Sequence, residues 1–395
     1  MRQWMVAAKK ADFYAIAEKF HVDPVVARII RNREVIGEKN IRIYLGGNLS
    51  DLSDPHQMKD LEKTARLLEE KIANRENIMI IGDYDVDGVT SSHLFLTALR
   101  RVGAKVDVVI PHRIQDGYGL SLHLLQQAKE DGVDTILTCD NGIAAIDEIA
   151  WAKAQKMTVL VTDHHAVPFE EHEGRRTEKK SLADAVVNPH QQDCGYPYKE
   201  LCGAGVAWNV IRVLYENYDM DKREAEDLLD FVAMATVCDV MSLTGENRIL
   251  VKEGLKRIRH TKNIGLQALM QACNVQPENI SAYHFGYVLG PCVNATGRLD
   301  TARHALRLFE TGQETEAEEI ARDLVDLNQE RKELTLQGVE MAKKLCEEGG
   351  YENDPVLVLF LPDVHESIAG LIAGRIREMY NRPVFVLTRG EEGVK

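Results

Sequence analysis

A doubly wound α/β fold with a mostly parallel sheet is predicted by two observations. From residue 77 onward, short β-rich runs that end in polar residues alternate with segments of helical period. Acidic residues stand at the ends of those runs, where parallel sheets covered by helices on both faces bind their ligands. Residues 1–55 read as a helical N-terminal segment, 56–312 as the main domain, 313–350 as a long connecting helix and 351–395 as the start of a second α/β domain.

The elements follow in order. "NIMIIGDYD" leads into a helix over 89–101, "KVDVVIPHR" into "LSLHLLQQAKED", "DTILTCDNG" into "IAAIDEIAWAKAQ", and "MTVLVTDHH" into a more polar stretch. The charge-rich run 169–181 is expected as a solvated loop. After "ADAVVNP" the chain turns helical through "CGAGVAWNVIRVLYENY" and "REAEDLLDFVAMATVCDVMSL". Residues 315–348 are dense in helix formers, with Gly338 the only helix breaker, which predicts one long helix. Strand "PVLVLFLP", helix "ESIAGLIAGRIREMY" and strand "RPVFVLT" follow it. Roughly 40 residues are too few for an ordinary independent domain. The second domain is therefore expected to be incomplete.

Composition narrows the class. Hydrophobic residues at 45% and charged residues at 28% are those of a soluble globular protein, and no apolar run approaches a membrane span. Seven scattered cysteines without CxxC spacing suggest neither a disulfide framework nor a structural zinc site, and fit the reducing cytoplasm. A net charge of -14 excludes a uniformly basic nucleic-acid-binding surface but leaves room for a local basic groove and an acidic metal site.

The acids carry the chemistry. Asp83, Asp85 and Asp87 repel one another unless a cation, solvent or a proton relieves them. Their spacing matches the first half of a calcium-binding EF-hand loop, but the twelfth position is Leu94 where that loop needs a glutamate. One acid could also serve as a helix cap at Asp87-Gly88. Asp140 and Asp163-His164-His165 end two further strands, so three strand ends bring acids and imidazoles to one crevice. Carboxylates with imidazole suit Mn²⁺ or a similar divalent cation, and two such ions suit phosphoryl chemistry. Asp239 lies in an apolar stretch and needs a partner if buried. A water-facing helix end accounts for it equally well. Arg113 in "PHRIQDGYG", and Asn294 and Arg298 in "NATGRLD", are placed in loops, where arginine suits bidentate phosphate recognition. His365 opens a helical segment, either as a polar first-turn residue or as a phosphate or metal contact across a cleft.

"GDYDVDG", "CDNG", "TDHH" and "VCDV", in this order, resemble the DHH phosphoesterase superfamily. "PHRIQDGYGLS", "VVNPHQ", "CGAGVAW", "NATGRLD", "LNQERKELT" and "HESIAGLIAGRI" extend the resemblance to its RecJ-type single-strand-specific exonucleases. The resemblance implies a 5′-to-3′ exonuclease on single-stranded DNA in repair and recombination, with two Mn²⁺ ions, or Mg²⁺ in their place. It makes Asp83, Asp85, Asp87, Asp140, His164 and Asp239 metal ligands, with Asp140 bridging. His165, Asp163 and Asp87 are the implied catalytic residues, and Arg113, Asn294, Arg298 and His365 the phosphate contacts. Single-strand-binding protein and a helicase are the implied partners. Many relatives carry a histidine where this chain has Ile81. Relatives also continue past the equivalent of Lys395 into a phosphate-binding motif and an oligonucleotide-binding domain. The rival readings are a DHH-type oligoribonuclease or cyclic-dinucleotide phosphodiesterase, and an inactive replication scaffold.

Overall fold

Residues 5, 9–114, 116–117, 119–172, 175–351, 354–390 and 393–395 are described by the computed structural model. Three short helices open it, α1 (Phe13–Phe20), α2 (Pro24–Asn32) and α3 (Glu38–Gly46). Asp12 and Asp23 cap the first two by accepting from their orphan N–H groups. Ile30, Val35, Ile41 and Tyr44 close a small core of their own. Helix α4 (Leu61–Ala73) then leads into the sheet.

The sheet is built by β1 (Asn77–Ile81), α5 (Val86–Arg101), β2 (Lys105–Val109), α6 (Leu122–Glu130), β3 (Thr135–Cys139), α7 (Ile146–Ala154) and β4 (Thr158–Thr162). A hairpin of β5 (Phe169–His172) and β6 (Arg175–Glu178) precedes the last sheet strand, β7 (Ala185–Val187). The order is β2-β1-β3-β4-β7, and every pairing is parallel. Side chains alternate between faces, so each strand feeds two cores. Ile78, Ile80, Leu137, Cys139 and Leu160 join α4 and α5 on one face. Met79, Ile81, Ile136, Val159 and Val161 join α6 and α7 on the other. The chain leaves β1 toward β2 and returns across β1 to β3, so the connections diverge between β1 and β3. That divergence opens the crevice in which doubly wound sheets bind ligands.

Two local expectations are corrected here. Helix α5 begins at Val86, three residues before Val89, because Asp85 caps it through a 3.0 Å bond from the Gly88 N–H. The cap is Asp85, and Asp87 falls inside the first turn. The run 169–181 contains an antiparallel hairpin, pairing Phe169 with Glu178 and Glu170 with Thr177. Opposite charges face each other across it, Arg176 and Glu171 at 3.7 Å.

Helices α8 (Gly203–Asn217), α9 (Lys222–Glu226), α10 (Leu229–Cys238) and α11 (Gly245–Arg257) thicken the first core. Helix α12 (Ile264–Ala272) and the turn α13 (Ala282–His284) follow. A π-helical turn over Phe285–Leu289 then runs into α14 (Gly290–Leu299). Pro291 lacks an N–H and would clash with the Tyr287 carbonyl in a regular helix, which accounts for the widened turn before it. "NATGRLD" was expected in a loop, yet Asn294 and Arg298 lie within α14. Helix α15 (Ala302–Glu310) returns the chain to α16 (Glu314–Gly349). At 36 residues, α16 spans about 54 Å. Beyond it, β8 (Leu357–Phe360), α17 (Glu366–Tyr380) and β9 (Val384–Leu387) form a two-stranded parallel unit. Its core joins Val339, Ala342 and Cys346 of α16 to Leu357, Leu359, Ile368, Ile372 and Ile376. Among the described residues, no helix is long and apolar enough to cross a membrane.

One buried titratable group makes this fold acid-sensitive. His93 on α5 packs against Phe231 at 4.4 Å and Phe309 at 5.8 Å between ring centroids. Burial, helped by the Arg100 charge, pushes its imidazole down to about 3 from 6.5. Because the folded value is depressed, the unfolded chain binds the proton first, and stability is lost as pH falls through about 6.5 toward 3. In urea unfolding at pH 7 and pH 5, the native chain should lose about 2 kcal/mol more than His93→Leu. Equal losses in the two proteins would contradict this account.

Candidate metal centre

Backbone turns at the ends of β1, β3 and β4 place the acids. Strand β1 stops at Ile81, and within six residues Asp83, Asp85 and Asp87 follow, the last two at the start of α5. A Cβ on Gly88 would overlap the Asp83 backbone, so only glycine lets the first helical turn fold against the strand end. Asp87 reaches across to the start of α8 and accepts from the N–H groups of Gly203 at 2.6 Å and Ala204 at 2.8 Å. A carboxylate there also complements the helix dipole. Asp140 turns out of β3 with φ of 62°, in the left-handed region that favours Asn, Asp and Gly. A Cβ on Gly203 would come within 2.7 to 2.9 Å of the Asp140 side chain, so this glycine keeps the two elements in register. Asp239 closes the group as the C-terminal cap of α10.

His164 stands among these acids. Its Nε2 lies 3.0 Å from Asp140, 3.6 Å from Asp87 and 3.6 Å from Asp239. Three overlapping sets of ligand atoms result, Asp83-Asp85-Asp140, Asp87-His164-Asp239 and Asp140-His164-His165, each within 4.8 Å. Asp163 belongs to none of the three. Its buried carboxylate accepts from the N–H groups of His164 and His165, from that of Ile143 and from His165 Nδ1 at 2.8 Å. It therefore orients the half-exposed His165 ring. Ile81 is buried in the second core and offers no donor atom.

The electrostatics call for a cation. Burial and the neighbouring Asp85 push Asp83 up to about 7, and burial with Asp87 and Asp85 does the same to Asp239. Asp85 rises through burial and Asp87, and Asp140 rises well above the usual range through burial and four neighbouring acids. Burial opposes ionisation of Asp163 too, but the hydrogen bond and charge of His165 outweigh it and hold it low. The same bond raises His165 to about 9. Asp83 Oδ1 and His164 Nε2 are buried without an aligned hydrogen bond. Carboxylate oxygens and imidazole nitrogen converging in this way fit a borderline divalent ion such as Mn²⁺.

A cationic side faces the acids. Arg113 stacks 3.8 Å above the Tyr84 ring and donates Nε–H to the Gly297 carbonyl at 3.0 Å. Arg298 donates to the Ser367 carbonyl at 2.7 Å, tying α14 to the start of α17. Asn294 spends its Oδ1 on the Val86 N–H at 3.1 Å, so it supports the first turn of α5. His365 is the N-terminal cap of α17, its Nδ1 2.7 Å from Ser367 Oγ, and lies in none of the three acid sets. Burial lowers Arg298, as do the charges of Arg113 and Arg331, while burial and Arg375 lower Arg331. Arg331 and Arg375 are thus part of this cationic side, although neither was singled out from sequence. The i, i+3 pair Asn328 and Arg331 within "LNQERKELT" was the available signal.

Comparison with known proteins places this site in context. Residues 77–236 match the DHH family, N-terminal domain. Over 384 residues the chain is 35% identical to the single-stranded-DNA-specific exonuclease RecJ of Haemophilus influenzae, covering 94% of this chain and 64% of that one. The chain therefore spans just under two thirds of that relative. A crystal structure of exonuclease RecJ bound to manganese superposes with a TM-score of 0.73 at 33% identity, covering 84% of this chain and 80% of the other. RecJ from Thermus thermophilus in complex with Mn²⁺ gives 0.75 at 29% identity, covering 95% and 52%.

The Gly203 contact yields a direct test. Gly203→Ala should push Asp140 out of place and weaken Mn²⁺ binding by roughly 10- to 100-fold, as loss of a supporting contact does elsewhere. Titration calorimetry reads the affinity, and circular dichroism checks the fold. Unchanged affinity in a folded variant would contradict the placement of Asp140.

Proposed function

The chain belongs to the DHH family, in its RecJ branch, and from that premise we propose that it is a metal-dependent exonuclease hydrolysing single-stranded DNA from the 5′ end. The observation that supports this reading most is the pairing of two acid sets, joined through Asp140 and His164, with an arginine-lined side. Asp83, Asp85 and Asp140 would hold one divalent ion, and Asp87, His164 and Asp239 a second. Mn²⁺ or Mg²⁺ there would neutralise phosphoryl oxygens and make water a better nucleophile.

The protein's own groups complete the site. His165, kept cationic by Asp163, is suited to donate a proton-bearing nitrogen to a phosphate oxygen. Arg113 and Arg298 would bind successive phosphates, joined by Arg331 and by the amide group that Asn294 has left after capping α5. His365 would contribute a further phosphate contact from the start of α17. We assign residues 56–312 to the catalytic domain, 313–350 to the connecting helix and 351–395 to the second α/β unit. We further propose a cytoplasmic role in repair and recombination, with single-strand-binding protein and a helicase as partners, as the family resemblance implies.

Purified chain, Mn²⁺ and end-labelled single-stranded DNA test the reading, with a dinucleotide and Asp140→Ala in parallel. Mononucleotide release from the long strand is expected, reduced by roughly 100-fold or more in Asp140→Ala. Dinucleotide hydrolysis with the long strand untouched would move the assignment to the small-substrate phosphodiesterases.

A further inference from the structure

The fold brings together two cysteines that the sequence keeps apart. Cys273 ends α12 and Cys292 lies in α14, with their sulfurs 3.8 Å apart. Cys292 is buried and Cys273 is partly exposed. Cys292 Sγ accepts from Asn328 Nδ2 at 3.4 Å, and the Oδ1 of that asparagine holds Arg331 at 2.9 and 3.2 Å. A continuous chain of contacts therefore runs from the thiol pair to an arginine of the cationic side. We propose that Cys273 and Cys292 are a reversible dithiol-disulfide site, oxidised by a hydroperoxide, and that the bond between them frees Arg331 from Asn328.

The chemistry is short-range. A disulfide needs its sulfurs at about 2.05 Å, a shift of under 2 Å shared between two side chains. The hydrogen bond from Cys273, against the penalty of burial and with help from Asn328, Lys332 and Arg331, holds the Cys292 thiol below its usual range. Cys273 is held above its own. Thiolate is the nucleophile, and whichever sulfur of the touching pair loses its proton first supplies it. It attacks a peroxide oxygen, the O–O bond breaks, and the leaving alkoxide takes a proton to depart as the alcohol. The other thiol then attacks the sulfenic sulfur, and hydroxide leaves as water with that thiol's proton. Two thiols are oxidised by two electrons and one hydroperoxide is reduced.

The bond would draw Cys292 Sγ toward Cys273 and away from Asn328 Nδ2. Asn328 then loses the partner that fixes its amide, and Arg331 loses its fixed acceptor. The consequence for DNA rests on the exonuclease reading above, whereas bond formation and release of Arg331 do not.

The whole chain is treated with hydrogen peroxide, alkylated, digested without reductant and mapped by mass spectrometry. A Cys273–Cys292 linked peptide is expected, reversed by dithiothreitol and absent from Cys273→Ser. Arg331 should react faster with phenylglyoxal in the oxidised chain, an effect also absent from Cys273→Ser, and affinity for single-stranded DNA should fall by roughly tenfold. Other pairings, or overoxidation of Cys273 without the link, would overturn the site. A formed link with unchanged Arg331 labelling would overturn the coupling. A freed Arg331 with unchanged DNA affinity would instead count against Arg331 as a strand contact.

Discussion

Mutual repulsion among carboxylates at the ends of three parallel strands is the constraint around which the molecule is arranged. Asp83, Asp87, Asp140 and Asp163 are all buried at one crevice, with Asp85 and Asp239 beside them. Left without partners, charges at this density and depth would oppose folding. The surrounding structure answers each one differently. Asp85 is bonded to the start of α5, Asp87 to the start of α8, and Asp163 to three N–H groups and an imidazole. Burial with like charge raises Asp83, Asp140 and Asp239, and a divalent cation at the acid sets would relieve that repulsion.

Position at that crevice depends on packing far from it. Alternate residues of β1, β3 and β4 enter two cores, so neither face can slide without exposing apolar side chains. Helix α14 then couples the sheet to the rest of the chain: Asn294 caps α5, Gly297 approaches Tyr84 too closely for any side chain, and Arg298 reaches α17. The cationic side is consequently set by contacts among α14, α16 and α17. A small change in α14 is felt by both the acid sets and the arginines.

Local expectations failed where a specific contact overrode the average character of a segment. Residues 169–181 are polar enough for a loop, but cross-strand charge pairing lets them form a hairpin. "NATGRLD" carries the glycine of a loop, yet Gly297 serves close packing and the segment stays helical. Helix α5 starts early because Asp85 takes the cap that Asp87 could equally have filled. In each case a specific contact, or a choice between equivalent neighbours, decided the outcome.

The sequence by itself determined the doubly wound sheet and the acids at its strand ends, because alternation, helical period and strand-end polarity are local and repeat several times. It also determined the family resemblance, through motifs whose order needs no coordinates. Tertiary structure alone decided that Asp163 orients His165, that Asn294 supports α5, that Arg331 joins Arg298, and that Cys273 meets Cys292. Those pairings link helices and turns distant in the chain, or depend on which way one side chain rotates. Periodicity specifies the face a residue occupies but carries no information about which neighbour will meet it there.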